Sequence, residues 1–137
     1  MHTIAMIEDS PADRYLLRIA LERAGAPLEI LEYTHALEAI PSLMRRKVPP
    51  DLILVDGFLP QVSAEDVIRR LKNAERLKNV PILVVSGMQD PTLDARLREC
   101  GAAQTFLKPF DLNGWLELGK HLVQLLEDDF ANAASNG

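Results

Sequence analysis

The sequence predicts an α/β fold: a five-stranded parallel sheet, doubly wound, with helices on both faces. Three observations predict it. Five short apolar runs alternate with five amphipathic stretches, the pattern of repeated strand–helix units. Two of the runs, LILV at 52–55 and ILVV at 82–85, are continuous rather than alternating, as in strands covered on both faces. A chain of 137 residues, 47% hydrophobic and 26% charged, suits one domain with a sizeable core.

The strand candidates are 4–7, 28–33, 52–55, 82–85 and 105–107, and the helix candidates are 11–25, 36–47, 64–76, 91–100 and 111–128. The first helix opens with Ser10 as N-cap, Pro11 at the favoured first position and Asp13 three residues after the cap, and it closes at Gly25. Pro49-Pro50 punctuates the chain before the third strand. The last helix has Asp111 as a cap and a stripe at 112, 115, 116, 119, 122, 123 and 126, with Gly119 counted in it. The domain is expected over 1–128, followed by a polar, frayed tail at 129–137.

Composition excludes several classes. A net charge of −5 without a long basic run argues against a nucleic-acid surface. No apolar stretch approaches the roughly 20 residues of a membrane span. The N-terminus lacks the pattern of a signal peptide, and the single cysteine, Cys100, excludes an intrachain disulfide. A cytoplasmic location is the expectation. His2, His35 and His121 are scattered and form no metal cluster.

The first polar residues after the strands carry the chemistry. They are Glu8-Asp9, Asp56, Ser86 and Lys108. In open parallel sheets ligands bind outside the carboxyl ends of the strands, where the strand order reverses. If the order is 2-1-3-4-5, strands one and three are neighbours there, and Glu8, Asp9 and Asp56 converge with Ser86 and Lys108 alongside. Three carboxylates so close repel one another. A hard divalent cation is the natural remedy, and Mg²⁺ fits a site with few protein ligands and room for water and phosphate. Each residue alone also has a plain structural reading: a helix cap, a turn former, a solvated lysine. Their shared placement is what singles them out.

Taken together, IEDS, LILVDGFLP, ILVVSG and FLKPF, with their spacing, resemble a response-regulator receiver domain of two-component signalling over residues 3–128. The resemblance implies a flavodoxin-like fold with order 2-1-3-4-5. It also implies a phosphoacceptor at Asp56 that takes its phosphoryl group from a histidine kinase or phosphotransfer protein. Glu8, Asp9, Asp56 and the Phe58 backbone carbonyl would hold Mg²⁺. Lys108 and Ser86 would bind the phosphoryl oxygens, and Gly87 would leave that group room. Lys108-Pro109 would be a cis peptide, and Ser86 with Phe106 would form a switch acting on the surface of the fourth helix, fifth strand and fifth helix. The chain would assist its own phosphotransfer without being an enzyme in the wider sense.

Departures from the family pattern refine this. QVSA at 61–64 replaces the usual stretch after Pro60, and Gly57 is smaller than expected. Bulky Phe58 and Met88 flank the path of the hydrolytic water in this family, so a long-lived aspartyl phosphate is expected. The length suggests a stand-alone regulator, and LKNAERLKNVPILVVSG resembles regulators paired with phytochrome-type kinases. Leu118 and Leu125 lie off the main stripe of the last helix; exposed, they would suit a homodimer or docking face, whereas a broader buried stripe would absorb them. Two other classes are weaker. A haloacid-dehalogenase-like phosphatase wants a second Asp two residues after the nucleophile, where this chain has Phe58. A phosphorylation-independent scaffold needs none of the five site residues.

Overall fold

The computed structural model describes residues 1–130. Five strands and five helices alternate: β1 (His2–Ile7), α1 (Pro11–Arg23), β2 (Leu28–Tyr33), α2 (Ala36–Arg45), β3 (Leu52–Asp56), α3 (Ala64–Asn73), β4 (Ile82–Ser86), α4 (Pro91–Cys100), β5 (Gln104–Leu107) and α5 (Leu112–Gln124). All strand pairings are parallel and the order is β2-β1-β3-β4-β5, as expected.

Side-chain alternation explains why LILV and ILVV are apolar throughout. Ile53, Val55, Ile82 and Val84 face one core with α2, α3 and α4. Leu52, Leu54, Leu83 and Val85 face the other with α1 and α5. Each such side chain, fully buried, contributes about 1.5–3 kcal/mol relative to exposure. The edge strand β2 reads LEILEY and is only half-covered. The central strands are therefore pinned from both sides and deliver their last residues to a fixed rim.

Caps match the sequence where side chains decide them. The Ser10 hydroxyl accepts from the Asp13 N–H, and the Asp111 carboxylate accepts from the Gly114 N–H. Gly25, at φ +88°, ends the first helical segment. Two expectations need correction, and one left open is decided. The third helix stops at Asn73 rather than 76, because Ala74 is extended and Lys72 donates instead to the carbonyls of Lys78 and Val80. Leu118 and Leu125 are buried, not exposed: the stripe is the broader one, packed on α1, so these residues supply no docking face. A π-helical turn, Leu125–Phe130, follows α5 and accompanies the burial of adjacent Leu125 and Leu126. Finally, no peptide bond among the described residues is cis, Lys108-Pro109 included. The trans form of an X–Pro bond is intrinsically favoured by about 0.5–1 kcal/mol, and the long lysine side chain reaches the rim from it.

Gly119 allows a close helix contact. A Cβ there would lie 2.4 Å from the Ala20 carbonyl oxygen, so α5 meets α1 backbone to backbone. Of the expected tail, 131–137 lie outside the described residues. No described helix is long and apolar enough to cross a membrane.

Candidate functional site

β1 and β3 are neighbours, pairing Ile7 with Val55. The residues that follow, Glu8-Asp9 and Asp56, consequently emerge side by side. Ligand oxygens of Glu8, Asp9 and Asp56 all lie within 4.8 Å of one another. Glu8 and Asp56 are 2% and 6% exposed, whereas Asp9 is half-buried. Buried carboxylates need partners, and both have them. Glu8 accepts from the Ser10 N–H at 3.1 Å, and Asp56 Oδ1 accepts from the Phe58 N–H at 3.2 Å.

Lys108 supplies the cation. Its backbone N–H donates to the Ser86 carbonyl at 2.7 Å, continuing the β4–β5 ladder. Its Nζ reaches Asp13 at 2.7 Å, Glu8 at 2.8 Å and Asp56 at 3.4 Å. Burial opposes this charge, but the hydrogen bonds to Asp13 and Glu8 outweigh it and raise the lysine above its ordinary value. Glu8 moves the other way for a carboxyl. Burial first, then a hydrogen bond to Asp56, push it up to about 8 despite the pull of Lys108.

Ser86 is buried at the end of β4, beside but not bonded to this cluster. Its hydroxyl donates to the Met88 carbonyl at 3.2 Å and accepts from the Met88 N–H at 3.3 Å. Gly57 has a structural reason: a Cβ there would meet Ser86 Cβ and Oγ at 2.8 Å. Its smallness lets the β3 and β4 ends approach while Ser86 keeps this position. At Gly87 a Cβ would meet nothing within 4 Å, so that side of the cleft is open. Phe58 and Met88 stand at the rim, 51% and 60% exposed. Phe106 is not drawn into the cleft; half-buried on β5, its ring meets His121 edge-on, with centroids 5.5 Å apart.

Two residues join the site that sequence reasoning used otherwise or not at all. Asp13 was legible only as the third residue after a cap, yet it holds Lys108. Arg14 clamps the acidic loop by donating to the carbonyls of Glu8 at 2.9 Å and Asp9 at 3.2 Å. The available signal was position: the first turn of α1 begins at the same rim as the acidic pair.

Comparison with known proteins agrees with this geometry. The family model described as response regulator receiver domain matches residues 4–118. The phosphate regulon transcriptional regulatory protein PhoB of Pseudomonas aeruginosa is 34% identical over 108 residues, 79% of this chain but 45% of PhoB. The chain thus spans less than half of that relative. The polar-differentiation response regulator DivK of Brucella ovis is 30% identical over 115 residues, 84% of this chain and 90% of DivK. Among solved structures, the phosphorylated cyanobacterial phytochrome response regulator RcpA superposes with a TM-score of 0.85 at 24% identity, covering 94% of this chain and 96% of RcpA. The receiver domain of the sensor histidine kinase PA1611 from P. aeruginosa PAO1, with a magnesium ion in its active-site cleft, gives 0.72 at 20% identity, covering 90% and 98%. These two likenesses show a shared fold.

Proposed function

The chain belongs to the response-regulator receiver family of two-component signalling, and from that premise we propose that it is a phosphoryl-accepting switch with Asp56 as the acceptor. The observation that carries this reading is the gathering of Glu8, Asp9 and Asp56 within 4.8 Å, with the Lys108 ammonium against them. An Asp56 oxygen forms the new O–P bond to the phosphoryl group of a partner's phosphohistidine. The N–P bond breaks, and its electron pair stays with the imidazole, which takes up a proton. Lys108 offers N–H donors to the phosphoryl oxygens, and Ser86 offers a hydroxyl once it leaves Met88.

The donor set fits a hard divalent ion: one oxygen from each of three carboxylates lies within 4.8 Å of the others. Mg²⁺ would be held by Glu8, Asp9, Asp56 and the Phe58 carbonyl, and when bound it supplies charge neutralisation for the transferring group. The magnesium reported for the PA1611 receiver supports the choice of ion. Glu8 gives the binding a pH signature. Its folded value of about 8 stands above 4.5, so its proton stabilises the metal-free protein fully below pH 4.5 and that contribution is lost as pH climbs through 8. A divalent ion needs the ionised form and expels this proton. Mg²⁺ affinity is therefore expected to rise with pH and level off above about 8. Calorimetry in two buffers of different ionisation enthalpy checks it; binding without proton release on the acid side of 8 would contradict it.

The output surface is formed by α4, β5 and α5, on which Leu107 and Leu112 are exposed, with Phe110 in the loop between them. These suit a downstream protein or a second copy of the chain, and in this reading Phe106, on β5, would couple them to Ser86. The likeness to the phytochrome response regulator RcpA supports a phytochrome-type kinase as the partner. Phe58 and Met88, apolar at the rim, orient no water, which favours a long-lived phosphate. The double variant Phe58→Asn, Met88→Glu is expected to lose its phosphate faster than the natural chain; equal or slower loss counts against the idea.

The central test uses Mg²⁺ and a small acyl phosphate. One acid-stable, base-labile phosphate per chain is expected, and its absence, with chelator and metal giving the same blank, overturns the proposal.

A further inference from the structure

We propose that Asp13 is a positioning residue for Lys108, keeping its ammonium group over the cleft while Glu8 and Asp56 engage metal and phosphoryl group. The inference rests on the phosphoryl-accepting reading and deepens it. An ammonium group has three N–H donors, and three carboxylates surround this one: Asp13 at 2.7 Å, Glu8 at 2.8 Å and Asp56 at 3.4 Å. Two of them are the acids that the reaction claims. Glu8 would turn to the metal, and an oxygen of Asp56 would become the bridging oxygen of an acyl phosphate. Asp13 alone lies outside the cluster of prospective metal ligands.

Its place is set by the helix rather than by the cleft. Asp13 sits in the first turn of α1, its N–H held by Ser10 Oγ at 3.3 Å. The side chains of Asp13 and Lys108 are 25% and 14% exposed, so their pair is partly withdrawn from water and holds better than a surface pair. A lysine bound only to Glu8 and Asp56 would be released to solvent at the moment they are taken. With Asp13 keeping one N–H, the other two stay available to phosphoryl oxygens. An acid that merely complemented the helix N-terminus would have no such dependence on Lys108.

The test compares initial phosphorylation rates, with a small acyl phosphate across a Mg²⁺ titration, for the natural chain, Asp13→Asn, Asp13→Glu, Lys108→Met and the Asp13→Asn, Lys108→Met pair. Asp13→Asn is expected to slow labelling about tenfold, the scale of a misplaced catalytic group, with the Mg²⁺ midpoint unchanged. Asp13→Glu recovers part of the rate, and Asp13→Asn has no further effect once Lys108 is Met. A natural rate in Asp13→Asn overturns the inference. So does a shifted Mg²⁺ midpoint that accounts for the whole loss, which would make Asp13 a ligand. So does an equal loss in the Lys108→Met background, which would make its role structural. A natural chain that takes no label refutes the phosphoryl-accepting reading itself, whereas equal labelling of both chains refutes only the role of Asp13.

Discussion

Asp56→Asn is expected to take the incorporated phosphate from one per chain to none, without loss of the fold. The amide keeps the shape of the carboxylate but offers no anionic oxygen to attack phosphorus. Its carbonyl can still accept from the Phe58 N–H, so the turn after β3 keeps its hydrogen bond. Stability should move the opposite way to function. After burial, Asp56 is the main influence raising Glu8, and removing its charge lets Glu8 ionise as a simple partner of Lys108. With the metal left out, a melting temperature equal to the natural chain or higher by roughly 2–6 °C is expected near neutral pH. Mass spectrometry and thermal melts read both outcomes. Undiminished label would place the acceptor elsewhere, and a collapsed melting temperature would mean that Asp56 is structural.

Gly119→Ala is the second large effect, and here helix propensity and packing disagree in sign. Alanine in a helix interior is favoured over glycine by about 1 kcal/mol. Its Cβ would lie 2.4 Å from the Ala20 oxygen and 2.5 Å from the Ala20 carbonyl carbon, and backbone atoms cannot step aside as a flexible side chain can. Overpacking of this kind costs about 1–3 kcal/mol and sometimes more. A net loss of about 1 kcal/mol, or roughly 3–6 °C in melting temperature, is expected from calorimetry. Phosphorylation should slow as well, since α1 carries Asp13 and α5 follows directly on the Lys108 loop. An unchanged or raised melting temperature would show that the two helices can part without cost.

The sheet was legible because strands covered on both faces leave no room for polar residues: LILV and ILVV end where polarity begins, and that boundary is the rim. Glu8, Asp9, Asp56 and Lys108 followed from the same boundary together with the strand order. What escaped was decided by contacts between elements distant in sequence. Asp13 and Lys108 are 95 positions apart, and nothing local to either announces the other. Leu118 and Leu125 looked superfluous because an ideal helical stripe is narrower than the seam α5 makes with α1 and the turn beyond it. Gly57 looked like a family irregularity until the Ser86 side chain was found against it. The end of α3 was missed for a related reason, since Lys72 caps carbonyls beyond the helix itself.

Lys108 has a consequence for what the cleft senses. Its ammonium is a counter-ion on a tether, already seated among the carboxylates. A divalent cation would take Glu8 and Asp56 over from a charge already in place, and that charge, still held by Asp13, would stay beside the cleft. Such an exchanger would discriminate by valence and coordination rather than by ionic strength, because a monovalent cation would gain nothing over the one in place. Lys108 would regain both carboxylates when the metal left, so the exchange would reset without help from solution ions.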